Sequence, residues 1–548
     1  MFFKDDSCII SMTRSFWLEM NIPFKTVKKE YLKYLLHESI HYDNSSDAIK
    51  YLKNIIIKIQ DDLIEWEKTR NAKNAVIDLY TIFDKCFSFY IEQKKDRIEF
   101  VKCNVNPSET YELNRNMSLN VISAVNLWLD NILLFQNNNT DYISPSEPPK
   151  INNELFVDLY IYGLVSRNLS LLSLSSNKNI GLKFQGLKVD VMADSVEPIE
   201  LIRYIPVTYF NTQITGNQSI FEVSEKEYKN ANNSEFGVGF KETYGIELIY
   251  SFRLFSTIMK YDLNNGKRSL IALSKTNFLR MIDEYSNGKI DGNLFYDTFV
   301  LDYNKINRNI GVKDICVWKM GVNKFRHEIR PYICLNDNTV FISYCALEQA
   351  KQLWLSYFSN GGMIYTNEND GLIEGIEKRN IELSDKLINI ITDKLKAHYK
   401  KGFLQTEVEY KIIFGEMEIN YGDYDVIYYV DETKELFLIE SKFFSDSLNT
   451  SGYIRDYKKL FEENGYYDHC RRRCDLVLKY PEKIKKYLGV EGNVKVHFLF
   501  ISSKPLQIEF TDQDGIVSFP CISIFDKYLE GKLISEDGNE IIRPTVTI

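Results

Sequence analysis

Residues 422–443 constrain this chain more than any other stretch. They read Gly422-Asp423-Tyr424-Asp425-Val426-Ile427-Tyr428-Tyr429-Val430, then the polar Asp431-Glu432-Thr433-Lys434, then Glu435-Leu436-Phe437-Leu438-Ile439-Glu440-Ser441-Lys442-Phe443. Two runs rich in β-branched and aromatic residues, parted by a short polar turn, predict an antiparallel hairpin. If the four polar residues form its loop, Val430 faces Glu435. Counting back along both strands then sets Asp425 opposite Glu440. Directly opposed residues point to one side of a sheet, with Cβ atoms about 4.5–5.5 Å apart. Lys442 is two residues beyond Glu440 and shares that face, opposite Asp423.

An acid flanked by such apolar neighbours is partly buried. Two buried carboxylates that close repel one another, and an unpaired buried charge is costly. A divalent cation resolves the conflict. Mg²⁺, or Mn²⁺ in its place, takes oxygen ligands and is commonly held by one or two carboxylates plus waters and substrate phosphate. A lysine beside it supplies positive charge where negative charge develops in a transition state. Asp425, Glu440 and Lys442 therefore form a candidate site for phosphodiester hydrolysis.

The surrounding order predicts an α/β core. A helix spans about 375–400, and strands span 408–414, 423–430 and 435–443. Helices then cover about 453–488, before a strand at 494–502 and a closing segment at 518–529. Asp425 followed by Glu440-Ser441-Lys442 on the next strand resembles the PD-(D/E)xK nuclease superfamily, in the form found in Mrr-like and Holliday-resolvase-like members. Tyr424 stands where the motif name has Pro. The resemblance covers residues 371–548. It implies a restriction-endonuclease-like αβββαβ core and a magnesium-dependent nuclease acting on DNA. It makes Asp425, Glu440 and the Ser441 main-chain carbonyl metal ligands, and Lys442 the group that positions or activates water. It also implies a glutamate on the first core helix, for which Glu382 is the best match and Glu377 the rival. Restriction or anti-phage defence is a natural setting by analogy.

His469-Cys470-Arg471-Arg472-Arg473-Cys474 lies on the predicted helix beyond the strands. Cysteines four apart with no second pair are a poor zinc signal. Arg471, Arg472 and Arg473 are candidates for phosphate contact, because arginine forks match phosphate oxygens.

The rest of the chain is less specific. Residues 1–140 read as a helical domain. The Pro- and Asn-rich stretch 136–149 is the best boundary, and 150–370 reads as a mixed α/β domain. Within it, 180–191 alternates as strands do, 251–263 and 274–285 read as helices, and 329–344 reads as a hairpin turning at Asn336-Asp337-Asn338. The fold class is thus multidomain α+β, with the front part expected to sense a signal, bind a partner or select substrate. A net charge of -9 argues against general DNA coating but permits a local nucleic-acid patch. Nine scattered cysteines, no secretory signal and no apolar run of membrane length lead to the expectation of a cytoplasmic protein. His37-Glu38-Ser39-Ile40-His41 matches the zinc-peptidase pattern HExxH, in which His37 and His41 would share a helix face and Glu38 would act as base. Zinc metalloprotease is accordingly an alternative, and a non-catalytic nucleic-acid- or partner-binding protein is another.

Overall fold

The computed structural model describes residues 16–34, 41–42, 45–102, 109–134, 151–174, 180–185, 188–193, 225–306, 325–360, 370–444, 456, 459–504, 506, 510–533 and 543–548. The chain is mixed α+β. No helix among these residues is long and apolar enough to cross a membrane.

Helices Phe24–Tyr34, Ser45–Thr69, Ala72–Lys102, Glu109–Ile132 and Asn153–Leu174 surround one core, with Trp17, Tyr80, Trp128 and Tyr162 at its centre. The last of these helices follows the polar stretch 136–149, which itself lies outside the described residues. The helical core thus continues across that expected boundary. It also reaches a four-stranded sheet of order β4-β7-β6-β5, formed by β4 (Leu270–Ser274), β5 (Val300–Leu301), β6 (Tyr332–Cys334) and β7 (Thr339–Ser343). Alternation along those strands divides the side chains. Leu301, Ile333 and Phe341 enter the helical core. Val300, Tyr332, Cys334, Val340 and Ile342 enter a second core with Phe255, Phe278, Phe299 and Trp354. A strand's period of two lets one sheet serve two cores.

The middle elements match their sequence pattern closely. Helices run Leu248–Tyr261 and Lys275–Ser286, and Ser274 caps the latter by accepting from the Asn277 N–H. Strands β6 and β7 form the expected hairpin, with Asn338 in the left-handed region at φ 62°. The alternating stretch at 180–191 is itself a hairpin, β2 (Ile180–Gln185) against β3 (Lys188–Ala193), with β1 (His41–Tyr42) added at its edge. His41 pairs with Lys183 in that sheet. His37 lies outside the described residues. The backbone at His41 is therefore strand, not the helix that HExxH chemistry requires.

One helix, Asp370–His398, joins the second core to the third. Its Leu372 and Ile376 pack in the second core. Its Leu383, Leu387, Ile391 and Leu395, spaced by four, pack in the third. The first half lies so close to helix Glu235–Tyr244 that a Cβ on Gly239 would come 2.3 Å from the Gly371 carbonyl oxygen. A Cβ on Gly375 would come 2.5 Å from that of Glu235. The expected division at 371 falls inside the first turn of this shared helix.

The third core is built on a sheet of order β12-β11-β10-β9-β8. Its strands are β8 (Phe403–Glu409), β9 (Asp423–Val430), β10 (Glu435–Lys442), β11 (Lys495–Ser502) and β12 (Val517–Ser518), and β13 (Val546–Thr547) pairs with β11. Strand β9 runs antiparallel to both of its neighbours, β8 and β10, whereas β10, β11 and β12 run parallel. The first strand lies five residues earlier than its apolar run predicts. Tyr410–Phe414 is instead a short helix that buries Tyr410, Ile413 and Phe414 and exposes Ile412. Short apolar runs are ambiguous between the two periods, and here spacing by three and four prevails. Helices Tyr466–Lys479 and Pro481–Leu488 divide where the expected long helical segment meets Pro481.

Candidate functional site

Strands β9 and β10 pair in the register set by the polar loop, from Val430 opposite Glu435 to Val426 opposite Ile439. The ladder stops there, one step short of the two acids. At that point the Asp425 side chain takes over the bonding. Its Oδ2 accepts the Ser441 backbone N–H at 2.5 Å and the Ser441 hydroxyl at 3.1 Å. A short acidic side chain thus replaces a carbonyl acceptor at the strand end.

Lys442 Nζ stands between the carboxylates, 2.6 Å from Glu440 Oε1 and 3.4 Å from Asp425 Oδ2. Both acids are buried, at 8% exposure for Asp425 and 7% for Glu440, while the lysine is partly open to solvent. Asp425, Glu440, Ser441 and Lys442 are therefore brought together. Lys442 Nζ also lies 5.6 Å from the Tyr466 ring centre. The loop after β11 closes the same end of the sheet, where the Ser503 N–H donates to the Lys442 carbonyl.

A fourth charge enters from helix Tyr466–Lys479. The Arg473 guanidinium donates to Glu440 Oε2 through Nη2 and to the Tyr421 carbonyl through Nη1 at 2.9 Å. It lies 5.8 Å from the Tyr424 ring centre and is 5% exposed. Gly422 makes room for it. A Cβ there would come 3.0 Å from Arg473 Nη1, and the backbone at φ 77° favours glycine independently.

The ionisation of these groups follows from burial and pairing. Burial raises the Glu440 carboxyl above its usual range, with Lys442 and Arg473 pulling the other way. Burial by itself would lower the Lys442 amine, but Glu440 and Asp425 outweigh it and hold the ammonium charged. Arg473 is likewise held charged, as Glu440 outweighs its desolvation.

The arginine run separates into three environments. Arg471 is engaged by Asp475, Asp512 and Asp514, at 3.2, 2.9 and 3.1 Å. Arg472 is exposed and donates to the Asn464 side chain at 3.0 Å. Arg473 points into the acidic site. Successive helix positions turn by about a quarter of a circle or more, so a run of three cannot present one face. Cys470 and Cys474, four apart, are buried free thiols in the third core.

Glu382 is not at the site. It is exposed on the bridging helix and pairs with Arg379 at 2.8 Å, and Arg379 in turn meets the Phe358 carbonyl and Glu227. Glu377, its rival, is also exposed. The helix spends its inward positions on Leu383, Leu387, Ile391 and Leu395, which turns both glutamates outward.

No family model, curated protein or solved structure matches this chain. The chemistry is therefore argued from the residues themselves. Among the described residues, no group of three or more His, Cys, Asp or Glu side chains is placed to share a metal ion. Two carboxylates nonetheless meet the modest protein ligand count of Mg²⁺. They converge on one cation already, the Lys442 ammonium. Asp425 Oδ1 has no hydrogen-bond partner among the described residues, which leaves one oxygen ready to ligate. These oxygen donors are of the kind a hard divalent ion takes.

Proposed function

We propose that residues 371–548 form a divalent-metal-dependent nuclease that hydrolyses phosphodiester bonds, with DNA as substrate. The observation that carries this reading is the convergence of Asp425 and Glu440, from neighbouring strands, on the Lys442 ammonium. In this reading Asp425 and Glu440 hold Mg²⁺ or Mn²⁺. The Ser441 N–H and hydroxyl fix the Asp425 carboxylate. The chemistry supplied by such an ion is polarisation of a phosphoryl oxygen and a lowered pKa of coordinated water. Lys442 keeps a fixed positive charge beside the reacting phosphate, where it favours the more negative transition state. The apolar walls of β9 and β10 limit water around these charges and so strengthen their action. The shared helix Asp370–His398 supports a controlling role for the front of the chain, because one element packs in both cores.

Incubating the full chain with DNA, and in parallel RNA, in Mg²⁺ or Mn²⁺ tests this. Wild type should cut DNA, and Glu440→Gln and Asp425→Asn should lose cleavage by at least about a hundredfold, the scale of losing one charge-stabilising group. Cleavage by Glu440→Gln equal to wild type would overturn the site assignment.

A second reading rests on the charges themselves. Asp425 and Glu440 are balanced by Lys442 and Arg473 without any metal. An ion network of that kind also suits a non-catalytic nucleic-acid- or partner-binding protein, in which it only ties a helix to a sheet. Metal-independent DNA binding, with no cleavage in any divalent ion, would favour it.

A further inference from the structure

The balance of charge has a consequence if the site is a nuclease centre. A preformed cation site carries surplus negative charge. Here two buried carboxylates face two cations, the buried Arg473 and the partly exposed Lys442. Both Glu440 oxygens are occupied, Oε1 by Lys442 and Oε2 by Arg473. A divalent ion entering this arrangement would meet two fixed positive charges and only one open carboxylate oxygen, Asp425 Oδ1. At short range and low local dielectric, such repulsion is large.

Arg473 is the member that makes the difference. A lysine on the same strand as Glu440 sits at the solvent edge and can swing away, since 27% of its side chain is exposed. Arg473 cannot do so freely. It is anchored through the Tyr421 carbonyl, flanked by the Tyr424 ring and accommodated by Gly422.

We propose that Arg473 is the positioning residue of Glu440 and makes metal binding conditional on nucleic acid. In the free protein it holds the Glu440 carboxylate in place and occupies one of its oxygens. When a phosphodiester arrives, its negative charge draws Lys442, the cation at the solvent edge, away from Glu440 and offsets the charge of the buried Arg473. Glu440 is then released toward the cation, and metal and substrate bind with positive coupling. This rests on the nuclease reading of the same site. The coupling should reach at least about tenfold, within the ordinary range of about 5–150-fold for linked sites.

The test measures Mn²⁺ binding by loss of the free-ion EPR signal. It uses the full chain with and without a short phosphorothioate DNA duplex, after subtracting binding to the duplex alone. Wild type without DNA should bind Mn²⁺ at least about tenfold more weakly than wild type with the duplex. Arg473→Gln, which keeps a donor but removes the charge, should bind tightly without DNA. Arg473→Lys should restore weak binding, which a merely structural role for the side chain would not predict. Glu440→Gln should lose the site in every case. If wild type alone binds as tightly as Arg473→Gln and Glu440→Gln abolishes it, the conditional step is refuted while the metal site stands. If no form binds Mn²⁺ through Glu440, this proposal and the nuclease reading fall together. Should Arg473→Gln not fold, as read by circular dichroism, the wild-type comparison with and without duplex decides alone.

Discussion

Replacing Arg473 with methionine asks whether the buried ion pair holds the third core together. Arg473 and Glu440 are 5% and 7% exposed, so neither can turn to water when its partner is lost. Removing one member of a buried pair generally costs about 3–5 kcal/mol. Lys442 stays 2.6 Å from Glu440 and is partly solvated, so Arg473→Met belongs at the lower end, about 3 kcal/mol. That corresponds to about a hundredfold increase in local opening, at tenfold for every 1.4 kcal/mol. The double variant Glu440→Met/Arg473→Met removes both charges and fills both volumes with apolar atoms. It should recover most of the loss, because such replacements are often neutral or stabilising, and because Lys442 keeps Asp425 as a partner at 3.4 Å. Amide hydrogen exchange followed by mass spectrometry reads this directly through peptides covering β10, where the Ser441 N–H reports on the Asp425 contact. Protection in β10 should fall by about two orders of magnitude in Arg473→Met and return in the double variant. A fall of less than about threefold in the single variant, or a double variant no better than the sum of the singles, would refute the idea of a coupled buried pair.

Three other outcomes follow from the geometry. Glu435 is held down to about 2 chiefly by the hydrogen bond from His497, aided by Thr433 and Arg543, while burial keeps His497 itself below its ordinary value. The folded pKa of Glu435 lies below the unfolded value of about 4.3, so its stabilisation is complete above that value and is lost as pH falls toward 2. Calorimetric melting temperatures should fall across that window in wild type and less steeply in Glu435→Gln, and equal slopes would contradict the assignment. Alanine at Gly375 places a Cβ against the Glu235 carbonyl oxygen, a backbone atom that cannot give way; Gly375→Ala should cost about 1–3 kcal/mol, seen as a lowered melting temperature, and an unchanged one would show that the helices separate freely. Ser441→Ala removes only the 3.1 Å hydroxyl contact to Asp425 and keeps the backbone donor, so it should cost about 0.5–1.5 kcal/mol and reduce cleavage far less than Asp425→Asn.

The register of β9 and β10 was legible in the sequence because it is local. Four polar residues set the loop, a period of two carries the alignment outward, and both acids follow by counting. The helices Leu248–Tyr261 and Lys275–Ser286 and the hairpin of β6 and β7 were legible for the same reason. The short helix Tyr410–Phe414 was not, since five apolar-rich residues satisfy either period. Nor could the sequence divide the cores. The helix Asn153–Leu174 lies beyond an apparent linker yet completes the first, and Asp370–His398 belongs to two at once, because burial is decided by which faces meet. The same holds for the site. Asp425, Glu440, Ser441 and Lys442 are neighbours through one hairpin and could be named from spacing. Arg473 arrives from a helix 33 residues beyond Glu440, and Glu382 turns away to Arg379. Both outcomes depend on the phase at which a helix docks on the sheet, a non-local choice that packing makes and that no count along the chain contains.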